Sequence, residues 1–98
     1  MDPTEQQIKD VLQLLVGNRT CDYAPVEGGV LIIEDESQQK MTGVKIDTFL
    51  ALRAQGLIIE KGKQYNWHPV FRPSFQNPIV LYELSPKGGL YLEQLQRS

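Results

Sequence analysis

The chain has 98 residues with a net charge of -2, and 41% of its residues are hydrophobic, a composition typical of one small globular domain spanning residues 1–98. Its single cysteine, Cys21, excludes an internal disulfide, and no second Cys or His lies at zinc-ligand spacing, so neither a disulfide framework nor a zinc site is expected. The short apolar runs and the polar N-terminus predict a cytoplasmic protein with no membrane partner.

The first predicted element is a helix that begins near Asp2, with Asp2 as its N-cap, Pro3 at the first helical position and Glu5 reaching back. Gly17-Asn18 supplies a left-handed end. One apolar stripe follows the helical repeat: Ile8, Val11, Leu12 and Leu15. We predict that this stripe faces the core, with a dimer interface as the alternative.

Residues 30–33 are apolar and rich in β-branched side chains, which favours a strand. Residues 35–37 are typical of a turn, and residues 38–41 are interpreted as the second arm of a hairpin. A short helix over residues 35–40 is the competing interpretation.

A second helix is predicted from a cap at Thr42 or Gly43 to Gln55, with Gly56 as its left-handed exit. Its buried face is expected to consist of Ile46, Phe49, Leu52 and, beyond the exit, Leu57. The opposite, exposed face is expected to consist of Val44, Asp47, Thr48, Ala51, Ala54 and Gln55.

A strand is predicted at residues 57–59, followed by a two-residue turn at Gly62-Lys63 and a returning arm over residues 64–67. Three prolines within residues 68–78 exclude a central strand, so this segment is expected to loop. Residues 79–84 resume as a strand. Ser85-Pro86 then starts a last helix, which docks through Tyr91, Leu92 and Leu95.

Residues 52–58 (Leu-Arg-Ala-Gln-Gly-Leu-Ile) and residues 82–88 (Tyr-Glu-Leu-Ser-Pro-Lys-Gly) resemble the winged-helix domains of MarR-like and PadR-like regulators. The resemblance covers residues 44–96. It implies an α+β, winged-helix-like fold of three helices with a β-hairpin wing, here with an additional N-terminal hairpin, and it implies DNA as the partner. The departure lies in residues 18–41, where those families place a bracing helix and this chain has strand-like sequence. Insertion of the second helix into the major groove is therefore not carried over.

Charge is distributed unevenly along the chain, since residues 1–39 have a net charge of -6 and residues 40–73 a net charge of +4. Such polarity can orient a domain toward a polyanion, although uneven sampling of about twenty charges is the alternative explanation. The candidate nucleic-acid-binding residues are Lys61, Lys63 and Arg72 around the wing, with Lys40, Lys45 and Thr48 at its margin. Aromatic residues alternate with these cations: Tyr65, Trp67, His68, Phe71 and Phe75. Alternatively, Trp67, Phe71 and Phe75 fold the loop back over a small core.

These features predict a DNA-binding regulatory protein that forms a homodimer. The alternative is a protein-interaction or dimerisation module on the same scaffold without DNA binding, centred on Ala51, Ala54 and Trp67. No enzymatic activity, cofactor or metal is expected, because Cys21 and His68 lie far apart in sequence and no phosphate-binding or metal-ligand motif surrounds either residue.

Overall fold

In the computed structural model, which describes residues 2–97, three helices pack on one face of a five-stranded antiparallel sheet. The elements follow the chain in the order α1 (Glu5–Leu15), β1 (Cys21–Ala24), β2 (Gly29–Asp35), β3 (Lys40–Gly43), α2 (Ile46–Ala54), β4 (Ile58–Gln64), β5 (Ile79–Leu84) and α3 (Pro86–Arg97). The predicted α+β class, the three helices and the N-terminal hairpin, formed by β2 and β3, are confirmed. None of the helices in this part of the chain is long and apolar enough to cross a bilayer.

The sheet has the strand order β3-β2-β1-β5-β4, so β1 is its central strand. Cys21 pairs with Ile32 of β2 on one side and with Tyr82 of β5 on the other. Sequence analysis predicted no separate strand at residues 21–24. The segment is only four residues long and contains an aspartate, so it lacks the apolar run that marks a buried strand.

Side chains alternate between the two faces of the sheet, as strand geometry requires. The face toward the helices, called the helix face here, is lined by Cys21, Val30, Ile32, Ile58, Val80 and Tyr82. The opposite face is called the loop face, and its buried apolar cluster consists of Ala24, Leu31 and Ile79 of the sheet and Phe71 of the segment between β4 and β5. Each face therefore has its own apolar cluster.

Helix α1 begins at Glu5 with Thr4 as its N-cap, so the predicted cap at Asp2 is wrong. The Thr4 hydroxyl accepts a hydrogen bond from the Gln7 amide at 3.1 Å, and the Gln7 side chain accepts one from the Thr4 amide at 2.7 Å. This reciprocal capping box satisfies two backbone donors at once. The predicted stripe of α1 is buried in the core, and Gly17 and Asn18 have the predicted positive φ of 93° and 68°.

The hairpin of β2 and β3 turns after Asp35, but its second arm is Lys40–Gly43, two residues later than the predicted 38–41, and the alternative helix over residues 35–40 is wrong. The Asp35 carboxylate accepts hydrogen bonds from the Ser37 hydroxyl at 2.7 Å and from the Ser37 and Gln38 amides. These donors, the Ser37 hydroxyl above all, hold the pKa of Asp35 below its usual range. An aspartate that bonds its own following backbone favours a turn over a helix.

Helix α2 begins at Ile46, so the predicted start at Thr42 or Gly43 is wrong. Those residues pair with β2, and this pairing satisfies their backbone groups in a strand. The predicted helix faces are also partly wrong. Thr48 is only 4% exposed, whereas Ile46 is 37% exposed, so the buried face is turned toward Thr48 and away from Ile46. Phe49, Leu52 and Leu57 are buried as predicted.

The predicted wing turn at Gly62-Lys63 and the returning arm over residues 64–67 are wrong, because β4 continues through Gly62 to Gln64. Its partner is β5, with Ile58 opposite Leu84 and Gln64 opposite Ile79. The register shifts between Glu60 and Gly62, which leaves Lys61 as the extra residue of a bulge. The long connection that the prolines impose therefore lies between the two strands of this hairpin.

The two segments that carry the winged-helix resemblance contact each other at the end of α2. Gly56 has the predicted positive φ of 72°. The Ser85 hydroxyl donates a hydrogen bond to the Gly56 carbonyl at 2.6 Å and accepts one from the Gly88 amide at 2.9 Å, while Pro86 is the first residue of α3 as predicted. One serine thus caps α3 and fixes the exit of α2.

Candidate nucleic-acid interface

Residues 65–78, called the β4–β5 loop here, fold back over the loop face of the sheet. The Phe71 ring is buried, packs with Leu31 and Ile79, and lies over Gly29 of β2. The prolines prevent the loop from forming strand pairs, so it must be held by side chains. Phe71 supplies its main apolar contact.

A buried polar pair also holds the loop. The His68 Nε2 atom lies 2.7 Å from the Asp22 carboxylate, and both side chains are almost fully buried. The Thr20 hydroxyl donates to the other carboxylate oxygen at 2.6 Å. Asp22 lies between Leu31 and Leu81 on the neighbouring strands, so this carboxylate has little access to water. Its hydrogen bonds compensate for its burial.

The hydrogen bonds of His68 fix its tautomer. Its Nδ1 atom accepts from the amides of Val70 and Phe71, each at 3.1 Å, so the proton of the neutral ring is on Nε2 and is donated to Asp22. The ring also stacks on Phe71 with centroids 5.1 Å apart. Both nitrogens are therefore occupied by structural bonds. A histidine that acts as the base for a nucleophile needs a ring nitrogen without a structural bond, and His68 has none in this arrangement.

The same loop directs other rings into solvent. Ser74 and Asn77 exchange backbone hydrogen bonds at 3.2 Å, which closes a tight turn with Phe75 at its tip. Phe75 is 86% exposed and its ring lies 5.7 Å from that of Tyr65 at the end of β4. Trp67 is 61% exposed. The alternative interpretation, in which Trp67, Phe71 and Phe75 fold the loop back over a small core, is confirmed for Phe71 and is wrong for Trp67 and Phe75.

Three predicted cations lie on β4 and the β4–β5 loop: Lys61, Lys63 and Arg72. All three are exposed. Residues 61–82 contain no Asp or Glu, although the whole chain has more acidic than basic residues. This stretch combines three positive charges with exposed aromatic rings.

The other predicted site residues lie elsewhere. Lys40 is on β3, at the opposite edge of the sheet from β4, and the usual strand spacing puts these two edges about 19 Å apart. The Lys40 Nζ atom lies 4.0 Å from the Glu34 carboxylate. Lys45 is exposed at the start of α2, where it lines a cleft together with Asp2 and Asp47. The fold thus places Lys40 at the opposite sheet edge from Lys61 and Lys63, puts Lys45 at the start of α2 and buries Thr48.

Asp22 was not among the predicted site residues, and His68 was predicted to lie with the exposed rings of the loop rather than to anchor the loop to the sheet. The available signal was a single aspartate inside the short segment Cys-Asp-Tyr-Ala together with a single histidine in a proline-rich loop. Because these residues are 46 positions apart, only the fold shows that they pair.

The lone cysteine lies on the helix face, away from the loop. Cys21 is fully buried, and its burial raises the pKa of the thiol to about 12, with the neighbouring Asp22 carboxylate acting in the same direction. Such a thiol is unreactive at neutral pH.

Within residues 2–97, no group of three or more His, Cys, Asp or Glu side chains is placed to hold a metal ion. Comparison of the chain with protein-family models, with curated proteins and with solved structures finds no match.

Proposed function

We propose that this protein is a non-enzymatic nucleic-acid-binding domain whose contact surface is β4 and the β4–β5 loop. The observation that carries the proposal is the combination of three exposed cations, no carboxylate and three exposed aromatic rings within residues 61–82. Lys61, Lys63 and Arg72 would neutralise phosphates, and the rings would contact sugars and bases.

The charge distribution supports this orientation. Within residues 1–39, whose net charge is -6, Asp22 is buried beneath the β4–β5 loop and Glu27 lines a cleft with Arg72, whereas the other acidic residues lie at α1 and at the hairpin of β2 and β3. A polyanion approaching the domain would be repelled from these residues and attracted to the loop. The winged-helix resemblance, in which β4 and β5 take the place of the wing, is part of the same proposal.

The second helix is a weak candidate for reading bases in a groove. Strands β1, β2 and β3 precede it, so no helix stands in the bracing position of a helix-turn-helix unit. Thr48 is buried, and the exposed side of α2 includes Ile46 and Leu50. Direct readout of bases favours Arg, Lys, Asn and Gln at such positions.

Fluorescence anisotropy with labelled DNA at several salt concentrations tests the proposal. We expect binding at low salt, with an affinity that falls steeply as salt rises. Replacing Lys61 and Lys63 with Ala should weaken binding to all sequences and lower the salt slope by about one for each lost contact. Lys87→Ala is the control, because Lys87 is an exposed cation on α3. Absence of binding at low salt, or an equal loss for the control, would reject the proposal.

A protein partner is the second candidate, and one observation favours it. Ile46, Leu50 and Ala54 are spaced four residues apart on α2 and all three are exposed, so they form an apolar stripe. A homodimer would also need such a surface, because the α1 stripe proposed for dimerisation is buried within the chain. Light scattering of the wild type and of Leu50→Lys tests self-association. A concentration-independent monomer near 11.1 kDa would exclude the homodimer.

A further inference from the structure

We propose that the nucleic acid bound by this surface is single-stranded, and that the Tyr65–Phe75 pair is a stacking platform for an unpaired base. The inference rests on the proposed function and adds to it the strand state of the partner. It depends on how the loop presents its rings.

Phe75 is exposed because the backbone holds it there. The Ser74–Asn77 turn is closed by two backbone hydrogen bonds, and the Ser74 hydroxyl also accepts from the Asn77 amide at 3.0 Å. One side of the Phe75 ring is supported by Tyr65, with an angle of 33° between the two ring planes. The closed turn thus presents this large apolar ring to solvent, where Phe75 is 86% exposed.

The loop that carries the rings is held firmly in place. Its middle is fixed to the central strand by the His68–Asp22 hydrogen bond and to the sheet by the buried Phe71. A ligand that stacks on Phe75 therefore does not have to order the loop first. Preorganisation of this kind lowers the entropic cost of binding.

Unpaired bases suit these rings better than paired ones do. A base inside a duplex is already stacked on its neighbours and offers only its edges, while an unpaired base has an open flat face. Stacking is independent of sequence, and cations beside the rings then hold the backbone. Lys63, near the end of β4, precedes Tyr65 by two residues, which places a positive charge beside the platform on the same chain segment.

Charge complementarity favours nucleic acid over a protein as the occupant. The platform lies within the carboxylate-free stretch 61–82, and the aspartate beneath the loop, Asp22, is buried and hydrogen-bonded. An apolar protein partner would not need the three cations. A polyanion with exposed flat bases uses both features of the surface.

The experiment compares a labelled unpaired oligothymidine strand with a duplex of equal length, using wild type and Phe75→Ala at matched salt. We expect the wild type to bind the single strand at least about tenfold more tightly than the duplex. Phe75→Ala should weaken single-strand binding by about 10- to 100-fold and leave the salt slope unchanged, since no phosphate contact is lost. Phe75→Trp should retain binding because it retains a flat ring.

Leu90→Ala is the matched control, since Leu90 is an exposed apolar residue on α3 and lies outside the loop. Quenching of Trp67, the only tryptophan, gives a second readout of binding at the loop. Equal affinity for duplex and single strand, or no effect of Phe75→Ala, would overturn this inference while leaving nucleic-acid binding intact. Failure of both oligonucleotides to bind at low salt would overturn both proposals.

Discussion

The two faces of the sheet are covered in different ways. On the helix face, three helices bury a continuous apolar cluster that includes Leu12, Phe49 and Leu52. On the loop face, one irregular loop is held by Phe71 and by the hydrogen bond between His68 and Asp22. The helix face therefore depends on many apolar contacts, and the cover of the loop face depends on a few identifiable groups.

This difference predicts two kinds of stability. Loss of a contact on the helix face should unfold the whole domain, because the same cluster joins every helix to the sheet. Loss of the His68 anchor should release the loop while the helices stay packed, since local opening follows the regions with fewest buried contacts. Cys21 distinguishes the two cases, because its thiol is buried on the helix face and reacts with an alkylating reagent only when that face opens.

The largest effect is expected for Gly88→Ala, which tests the helix face. A methyl group at Gly88 would overlap the Leu57 carbonyl, a backbone atom that cannot move without displacing β4 from α3. We expect a loss of about 3 kcal/mol or more in the free energy of unfolding, measured by denaturant titration, with faster labelling of Cys21.

Gly89→Ala is the matched control for this change. It lies next to Gly88 in the same helix and has open space around it, so Ala should be neutral or stabilising by about 0.5–1 kcal/mol. Equal destabilisation by both substitutions would contradict the proposed packing of α3 on Leu57.

The next effect is expected for His68→Ala, which tests the anchor of the loop face. The substitution leaves the Asp22 carboxylate and the amides of Val70 and Phe71 without their partner. We expect the free energy of opening the loop to fall by about 2–3 kcal/mol. This loss cannot exceed the free energy that is needed to release the loop into water. Hydrogen exchange should accelerate at these two amides.

Labelling of Cys21 should stay slow in His68→Ala, because the helix face stays closed. Gln76→Ala is the control, since Gln76 is exposed in the same loop, and it should change neither hydrogen exchange nor Cys21 labelling. Global unfolding of His68→Ala, reported by rapid labelling of Cys21, would show that the two faces are not independent.

Alkaline pH should destabilise the helix face through Cys21. Burial raises the pKa of the folded thiol to about 12 from its usual value of 9.0, so the unfolded chain loses this proton first as pH rises. The stabilisation is complete below pH 9.0 and is lost progressively as pH rises toward about 12. At about pH 10.5 the loss is about 2 kcal/mol.

Denaturant titrations of wild type and Cys21→Ala at several pH values measure this contribution. The variant is less stable at neutral pH because it loses buried contacts, but its stability should fall less steeply above pH 9.0. Parallel pH profiles for the two proteins would contradict the assignment to Cys21.

The smallest effect on stability is expected for Phe75→Ala. Phe75 is 86% exposed, so its removal should change the free energy of unfolding by less than about 0.5 kcal/mol, even though it is the same residue type as the buried Phe71. Phe71→Ala, measured in parallel by denaturant titration, should release the loop. A large loss for Phe75→Ala would mean that the ring stabilises the loop rather than serving as a contact surface.

Much of the fold could be predicted from local sequence. The α1 stripe, the turn at Asp35, the left-handed residue Gly56 and the Ser85-Pro86 helix start were all predicted, because each depends on residues within a few positions of one another. The errors at the caps of α1 and α2 arose where a neighbouring group offered a better hydrogen-bonding arrangement than the nominal cap.

The candidate site could be predicted only in part. The basic residues of this segment predicted exposed cations on β4 and the loop. The sequence does not show that Lys40 lies at the far edge of the sheet or that Thr48 is buried. Nor does it distinguish the buried Phe71 from the exposed Phe75, since both stand in the same proline-rich segment. Burial depends on which strand the loop crosses, which is a long-range property.

The sequence by itself determined the α+β class, the single small domain and the local signals that begin and end its helices, because propensity, capping and turn chemistry act over a few residues. Only the tertiary structure decided that β1 is the central strand, that β4 pairs with β5 rather than with a nearby arm, and that Asp22 holds His68. These contacts join residues far apart in the chain. Their free energy comes from burial and pairing that exist only when the sheet is assembled.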